Sequence, residues 1–205
     1  DVKTIYEAPI SFYKEKLDQQ VLNYFKIKSK RQPNLLPWKK ITKTVLSSKN
    51  SVNIAIIGKY VNLKDAYKSL DEALTHGGIK NNVKINLIRI ESDYLKLSEV
   101  KKKLAGVNGI LIPGGFGKRG TEGKIAAISY ARKNKIPFLG ICFGMQMAVI
   151  EFARNVLKIK KASSTEISKQ CIPIVGLIDE WSKNGKVQKG TSKNLGGTMR
   201  LGLYP

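Results

Sequence analysis

Acidic residues are scarce in this chain. Fifteen Asp and Glu stand against 37 Lys and Arg in 205 residues, a formal charge of +22. Histidine occurs once, at His76, and cysteine twice, at Cys142 and Cys171. Two cysteines are too few for a secreted disulfide scaffold, so a reducing, cytoplasmic setting is expected. With one histidine and no C-x-x-C pair, no metal site is expected either. No apolar run approaches the roughly 18 residues that a membrane span needs. An initiator Met is missing, and Asp1-Val2-Lys3-Thr4 opens no signal-peptide layout, so the expectation is a piece of a longer chain.

What is present is a globular balance of 42% hydrophobic and 25% charged residues, which excludes wholesale disorder. The positive charge has two readings. One is a basic field that binds nucleic acid. The other is a compositional bias that raises Lys, Ile and Asn together. The basic residues are scattered over nearly every segment and lack interleaved stacking aromatics, so no nucleic-acid partner is expected.

The first 50 residues differ from the rest. Phe12, Leu17, Val21, Leu22 and Phe25 recur at helical spacing, which predicts one amphipathic helix over 11–27. The stretch after it is polar, basic and broken by Pro33 and Pro37, a linker signature. From Val52 the pattern alternates strand and helix. Strands are predicted at 52–57, 83–90, 109–112 and 136–141. Helices are predicted at 64–75 (ending at Gly77-Gly78), 98–104, 122–133 and 144–154. Such alternation implies an α/β fold, an open and mostly parallel sheet with helices on both faces. Its chemistry belongs at the carboxyl ends of the strands, hence in the loops after Ile112 and Ile141.

Gly140-Ile141-Cys142-Phe143-Gly144 joins a strand to a helix, the thiol version of a G-x-S-x-G nucleophile elbow. Glycines on both sides permit the tight turn that lifts the side chain above the sheet. The following helix aims its N–H groups at the place where negative charge develops. The same residues also fit a structural cysteine beside helix-packing glycines. Pro113-Gly114-Gly115-Phe116-Gly117 is the second informative loop, where the Gly115 N–H suits an oxyanion donor beside that of Phe143. Alone, it fits an ordinary tight turn. Cys171 lies in an apolar strand, Cys171–Val175, and reads as core.

Several strings resemble the CTP synthase family. They are Ile112–Gly117, Arg119-Gly120-Thr121-Glu122-Gly123-Lys124, Gly140–Gln146, Glu151–Arg154, Ser164-Thr165-Glu166 and Leu195–Gly202, with Gly58–Val61 and Asp65–Ser69 upstream. The elbow and the Pro-Gly-Gly loop are shared by class I glutamine amidotransferases generally. The Arg119–Lys124 and Leu195–Gly202 strings point to this member.

The resemblance implies a flavodoxin-like class I glutaminase domain at 51–205, incomplete at its C-terminus. It implies the tail of a synthetase domain at 1–27 and an interdomain linker at 28–50. Cys142 would be the nucleophile, with Gly115 and Phe143 forming the oxyanion hole. Gly115, Phe143, Gly144, Met145, Gln146 and Glu166 would bind glutamine. Arg119, Gly120 and Glu122 would form a GTP-responsive loop, and Asp1 and Val2 would edge an ATP site. The parent would use glutamine, UTP, ATP and GTP as a cytoplasmic homotetramer assembled through the synthetase domain. Mg and ATP belong to that domain, and no cofactor is implied for this stretch. The family's catalytic His and Glu lie in a downstream His-Pro-Glu motif that these 205 residues do not contain. His76 reads as a structural residue near a helix C-terminus, so the chain alone is expected to be inactive. Two alternatives stand beside this reading: another class I amidotransferase or cysteine hydrolase of the same fold, and a non-catalytic basic module that binds nucleic acid.

Overall fold

The structure, a computed structural model, describes residues 1–29, 31–63, 65–115, 117–176, 180–183 and 186–189. Lys64, Phe116 and the Leu195–Gly202 string lie outside the described residues. The chain divides into two compact units, Asp1–Ile54 with Leu63–Ile88, and Ala55–Asn62 with Arg89–Pro205.

The first unit begins with a 3-10 turn, Ile5–Glu7, followed by α1 (Ala8–Lys14), α2 (Leu17–Tyr24) and α3 (Leu36–Ser47). The single helix expected over 11–27 is broken in two. Lys16 sits at φ 58°, ψ 28°, a left-handed conformation that ends one helix and opens the next. The 28–50 stretch also differs from its linker signature, because 12 of its residues form α3. Pro37 lies in the first turn of that helix, where its missing N–H has no intrahelical partner to lose.

The helix expected at 64–75 is α4, Lys68–Lys80. Gly77-Gly78 does not stop it. A Cβ on Gly78 would lie 2.7 Å from the Val83 carbonyl oxygen and 2.7 Å from Ile85 Cγ1, so this glycine lets the helix approach the following strand. His76 sits inside α4, edge-on to the Tyr6 ring at 5.9 Å. The Tyr6 hydroxyl donates to Glu72 at 3.4 Å, and its pKa is raised by burial and by that carboxylate.

The main sheet contains β1 (Ser51–Gly58), β2 (Lys84–Glu91), β3 (Gly109–Ile112) and β4 (Phe138–Gly140), in the order β2-β1-β3-β4. It is parallel and flanked by helices, as expected. In the β3–β4 pair, Ile110 faces Phe138 and Ile112 faces Gly140. This order is the flavodoxin-like one, with its topological switch between β1 and β3.

In the second unit, 3-10 turns at Ser92–Tyr94 and Leu97–Glu99 lead to α5 (Val100–Lys103). The long helices α6 (Thr121–Lys133) and α7 (Phe143–Asn155) pack on each other and on β3 and β4. Ile56, Ile57, Ile112, Ile125, Ile128, Phe143, Met147 and Ile150 form the core. Each such side chain contributes about 1.5–3 kcal/mol on burial.

Beyond α7, β5 (Ala162–Ser164) pairs in parallel with β6 (Ile172–Val175). The hairpin strands β7 (Glu180–Lys183) and β8 (Lys186–Lys189) pair antiparallel. Cys171 is not a core residue. It is half-buried, it precedes the strand, and its Sγ lies 3.0 Å from the Ser168 carbonyl oxygen. Ile172 and Pro173 after it are exposed, and Ile174 and Val175 are half-buried, so β6 is not a core strand.

Candidate active site

Three turns at the carboxyl ends of β1, β3 and β4 carry the chemistry-bearing residues of the second unit. The turn after β4 is the sharpest. Cys142 takes φ 53°, ψ −109° as the residue before α7, a conformation that side-chain-bearing residues rarely adopt. Both flanking glycines are required by contact. A Cβ on Gly140 would lie 2.6 Å from the Gly144 carbonyl carbon, and one on Gly144 would collide with the Ile112 carbonyl oxygen. The Ile141 N–H donates to that same Ile112 oxygen at 2.9 Å, tying the elbow to β3. The thiol is exposed, and among the described residues none hydrogen-bonds its sulfur. A turn this tight lifts a side chain clear of the strand end.

The Pro-Gly-Gly loop lies against it. A Cβ on Gly114 would sit 3.6 Å from Cys142 Cβ and 3.9 Å from Sγ. Gly115 and Gly117 take φ 127° and 94°, and the Tyr60 ring lies 3.7 Å from the place of a Gly115 Cβ. At the start of α7, the N–H groups of Gly144, Met145 and Gln146 are taken by the Ile141 and Cys142 carbonyls, at 2.9–3.2 Å. Those three N–H groups are therefore engaged within the elbow. Met145 is exposed, Gly144 buried, and the Gln146 Oε1 is buried with no hydrogen-bond partner among the described residues.

Glu166 comes to the same loop from the turn after β5. Its carboxylate accepts a 2.6 Å hydrogen bond from the Gly117 N–H. The Arg119–Glu122 stretch behaves differently from a single unit. Arg119 pairs with Asp93 at 3.0 Å, whereas Glu122 receives Arg154 at 2.9 Å. Gly120 takes φ 72° as the residue before α6, and a Cβ there would meet the Ser92 and Asp93 side chains. Asp1 and Val2 are exposed in the first unit.

Two lysines complete the loop's surroundings, and sequence reasoning missed both. Lys59, directly after β1, is buried and donates to the Gly117 carbonyl oxygen at 3.0 Å. Lys124, in the first turns of α6, is fully buried and reaches the Gly115 carbonyl oxygen at 3.5 Å. Both ammonium groups face the Phe143 ring, at 4.9 Å for Lys124 and 5.8 Å for Lys59. Burial and the Lys59 charge push the Lys124 pKa down to about 8, against the pull of Asp93. Burial and Arg119 lower that of Lys59. Lys124 occupies an inward position one turn before Ile128, so a cation on the apolar stripe of α6 was the available signal. Among the described residues, no group of three or more His, Cys, Asp or Glu lies together to hold a metal.

A strained cysteine between a parallel strand and a helix, facing a glycine loop from the neighbouring strand, is the arrangement of a nucleophile elbow on a doubly wound α/β fold. The sequence profile of the family "Glutamine amidotransferase class-I" matches residues 62–205, and the chain belongs to that family. It is 72% identical over 204 residues to a CTP synthase of Pelagibacter ubique, covering 100% of this chain and 38% of that protein. It is 53% identical over 205 residues to a CTP synthase of Rhizobium johnstonii, with the same coverage. The chain thus spans 38% of the length of these curated relatives. Among solved structures it is similar to "Trypanosoma brucei CTPS - glutaminase domain with bound acivicin". The TM-score is 0.59 with 40% identity, over 63% of this chain and 51% of that one.

Proposed function

We propose that this chain is the glutaminase portion of a CTP synthase. Residues 1–27 would be the tail of the synthetase domain, 28–50 the interdomain linker, and the amidotransferase domain would run from 51. The observation that carries the reading is Cys142 at φ 53°, ψ −109°, with Gly114 packed 3.6 Å from its Cβ.

The Cys142 thiolate attacks the side-chain amide carbon of glutamine, and the carbonyl π electrons move onto oxygen. The N–H groups of Gly115 and Phe143 receive that oxyanion. Collapse breaks the C–N bond; the nitrogen takes a proton and leaves as ammonia, and a glutamyl thioester stays on Cys142. Water then releases glutamate and restores the thiol. Gln146, one turn after Cys142 on α7, joins the pocket on the family resemblance. Gly144 and Met145 line the pocket, and Glu166 carries the charge that suits an α-ammonium.

The ammonia passes to the synthetase domain, which activates UTP with MgATP and aminates it to CTP. Asp1 and Val2 edge the ATP site of that domain, and the whole enzyme is a cytoplasmic homotetramer. The His–Glu pair that takes and returns the thiol proton would come from the remainder of the parent enzyme, since this chain spans 38% of the length of its relatives.

Two measurements test this. In the full-length protein, Cys142→Ala abolishes glutamine-dependent CTP formation and keeps ammonia-dependent formation. Equal loss of both, or continued glutamine use, overturns the assignment. The 205-residue chain, lacking the base, turns glutamine over on the order of 10⁴-fold more slowly, by the scale of triad knockouts. Iodoacetamide still alkylates its exposed Cys142 ahead of Cys171.

A further inference from the structure

A fully buried ammonium is an expensive way to fill space. A methionine of similar length would pack at Lys124 without the desolvation cost, so the charge calls for a use. Its contacts show where that use lies. The Lys124 Nζ sits 4.9 Å from the centre of the Phe143 ring and 3.5 Å from the Gly115 carbonyl oxygen. Phe143 is the residue after the elbow cysteine, and Gly115 is the glycine of the facing loop. Gly115 and Gly117 both take positive φ, so this loop has the backbone freedom of glycine and no Cβ to restrict it. Lys59 donates to the carbonyl two residues further along the loop, that of Gly117.

We propose that Lys124 is a positioning residue for glutamine hydrolysis. Seated on the Phe143 ring, its ammonium holds the Gly115 carbonyl and fixes the backbone that presents the Gly115 N–H to the oxyanion. The proposal rests on the roles given above to Cys142 and Gly115. It has a protonation dependence of its own. The groups facing Lys124 are Lys59 from the turn after β1, Asp93 from the 3-10 turn after β2, the Phe143 ring and the Gly115 carbonyl. With its pKa near 8, Lys124 loses its charge within the working range of an enzyme. A neutral amine gives a weaker hydrogen bond and loses the ring attraction.

The test is the steady-state glutaminase activity of the full-length protein, followed from roughly pH 6.5 to 9.5. Wild type loses kcat above about pH 8. Lys124→Met lowers kcat on the order of 10²-fold, the scale of one oxyanion donor, and moves the glutamine KM less than about threefold. Lys124→Arg keeps kcat within about tenfold and has no alkaline fall, because a guanidinium is not deprotonated there. A Lys124→Met enzyme within about twofold of wild type overturns the proposal, as does an alkaline fall that persists in Lys124→Arg. Where Lys124→Met fails to fold, the Lys124→Arg profile decides alone. Cys142→Ala run in parallel separates the two readings. If it still hydrolyses glutamine, the nucleophile assignment fails and this proposal with it. If it is inert while Lys124→Met is active, only the role of Lys124 falls.

Discussion

Arg132 of α6 and Glu151 of α7 are joined by three hydrogen bonds of 2.8, 3.0 and 3.3 Å, with the carboxylate only 1% exposed. Asn155 adds a fourth at 3.0 Å. This is the polar fastener of the helix pair that carries the elbow. Burial pushes the Glu151 pKa up, but the Arg132, Asn155 and Ser129 hydrogen bonds outweigh it and hold it below 4.5. Its contribution to stability is therefore complete above the unfolded value and is lost as pH falls through the lower folded one. Urea midpoints of wild type and Glu151→Gln should converge on going from roughly pH 6 to 3. Arg132→Met should cost about 3 kcal/mol, at the low end for a broken buried pair because the guanidinium is partly solvated.

The glycine pair of α4 predicts opposite signs from adjacent positions. Nothing lies within 4 Å of a Cβ at Gly77, so Gly77→Ala should stabilise by about 0.5–1 kcal/mol through helix propensity. Gly78→Ala drives a methyl against the Val83 carbonyl and should destabilise by about 2 kcal/mol. Urea unfolding of both variants checks this, and a shared sign would contradict the close approach of α4 to β2.

Glu166 is engaged with the Gly117 N–H, which puts its proposed contact with the glutamine α-ammonium to a test. Glu166→Gln keeps an acceptor for Gly117 and removes the charge. It should raise the glutamine KM about 10–100-fold, the range for a hydrogen bond to a charged group, with kcat little changed. An unchanged KM would mean that the carboxylate serves the loop alone.

Arg119 is an exposed partner of Asp93, and such pairs contribute at most about 1 kcal/mol to folding. On the GTP-responsive role that the resemblance implies for this loop, Arg119→Ala should leave the thermal midpoint of the full-length protein nearly unchanged and blunt a GTP activation of glutamine-dependent synthesis. A GTP titration that superimposes on wild type removes the effector role from this loop.

The four strands of the main sheet and the elbow turn are legible in the sequence because their signals are local, whereas the short, polar β5, β7 and β8 carry no such signal. Gly109–Ile112 is a four-residue apolar run between turn residues, and Gly140–Gly144 has small residues at the spacing that a sharp turn requires. The misreadings arose where distant contacts decide. Gly78 looks like a stop until Ile85 is seen against it, and α1–α2 looks continuous because a left-handed Lys16 leaves no mark in hydrophobic spacing. Lys59 and Lys124 escaped for a similar reason. In a chain with 37 basic residues, two buried ones are indistinguishable by type from the exposed majority.

The backbone at Cys142 has a consequence for how this stretch drifts. Its φ of 53° with ψ of −109° is a shape that glycine adopts freely and cysteine does not. Cys142→Gly should therefore melt higher than the natural chain, by an amount on the order of the 1–3 kcal/mol stored in such a conformation. A lineage that stopped needing the reaction would be rewarded for discarding the thiol first. Copies that keep the cysteine carry, in that one uncomfortable residue, a record of continued use.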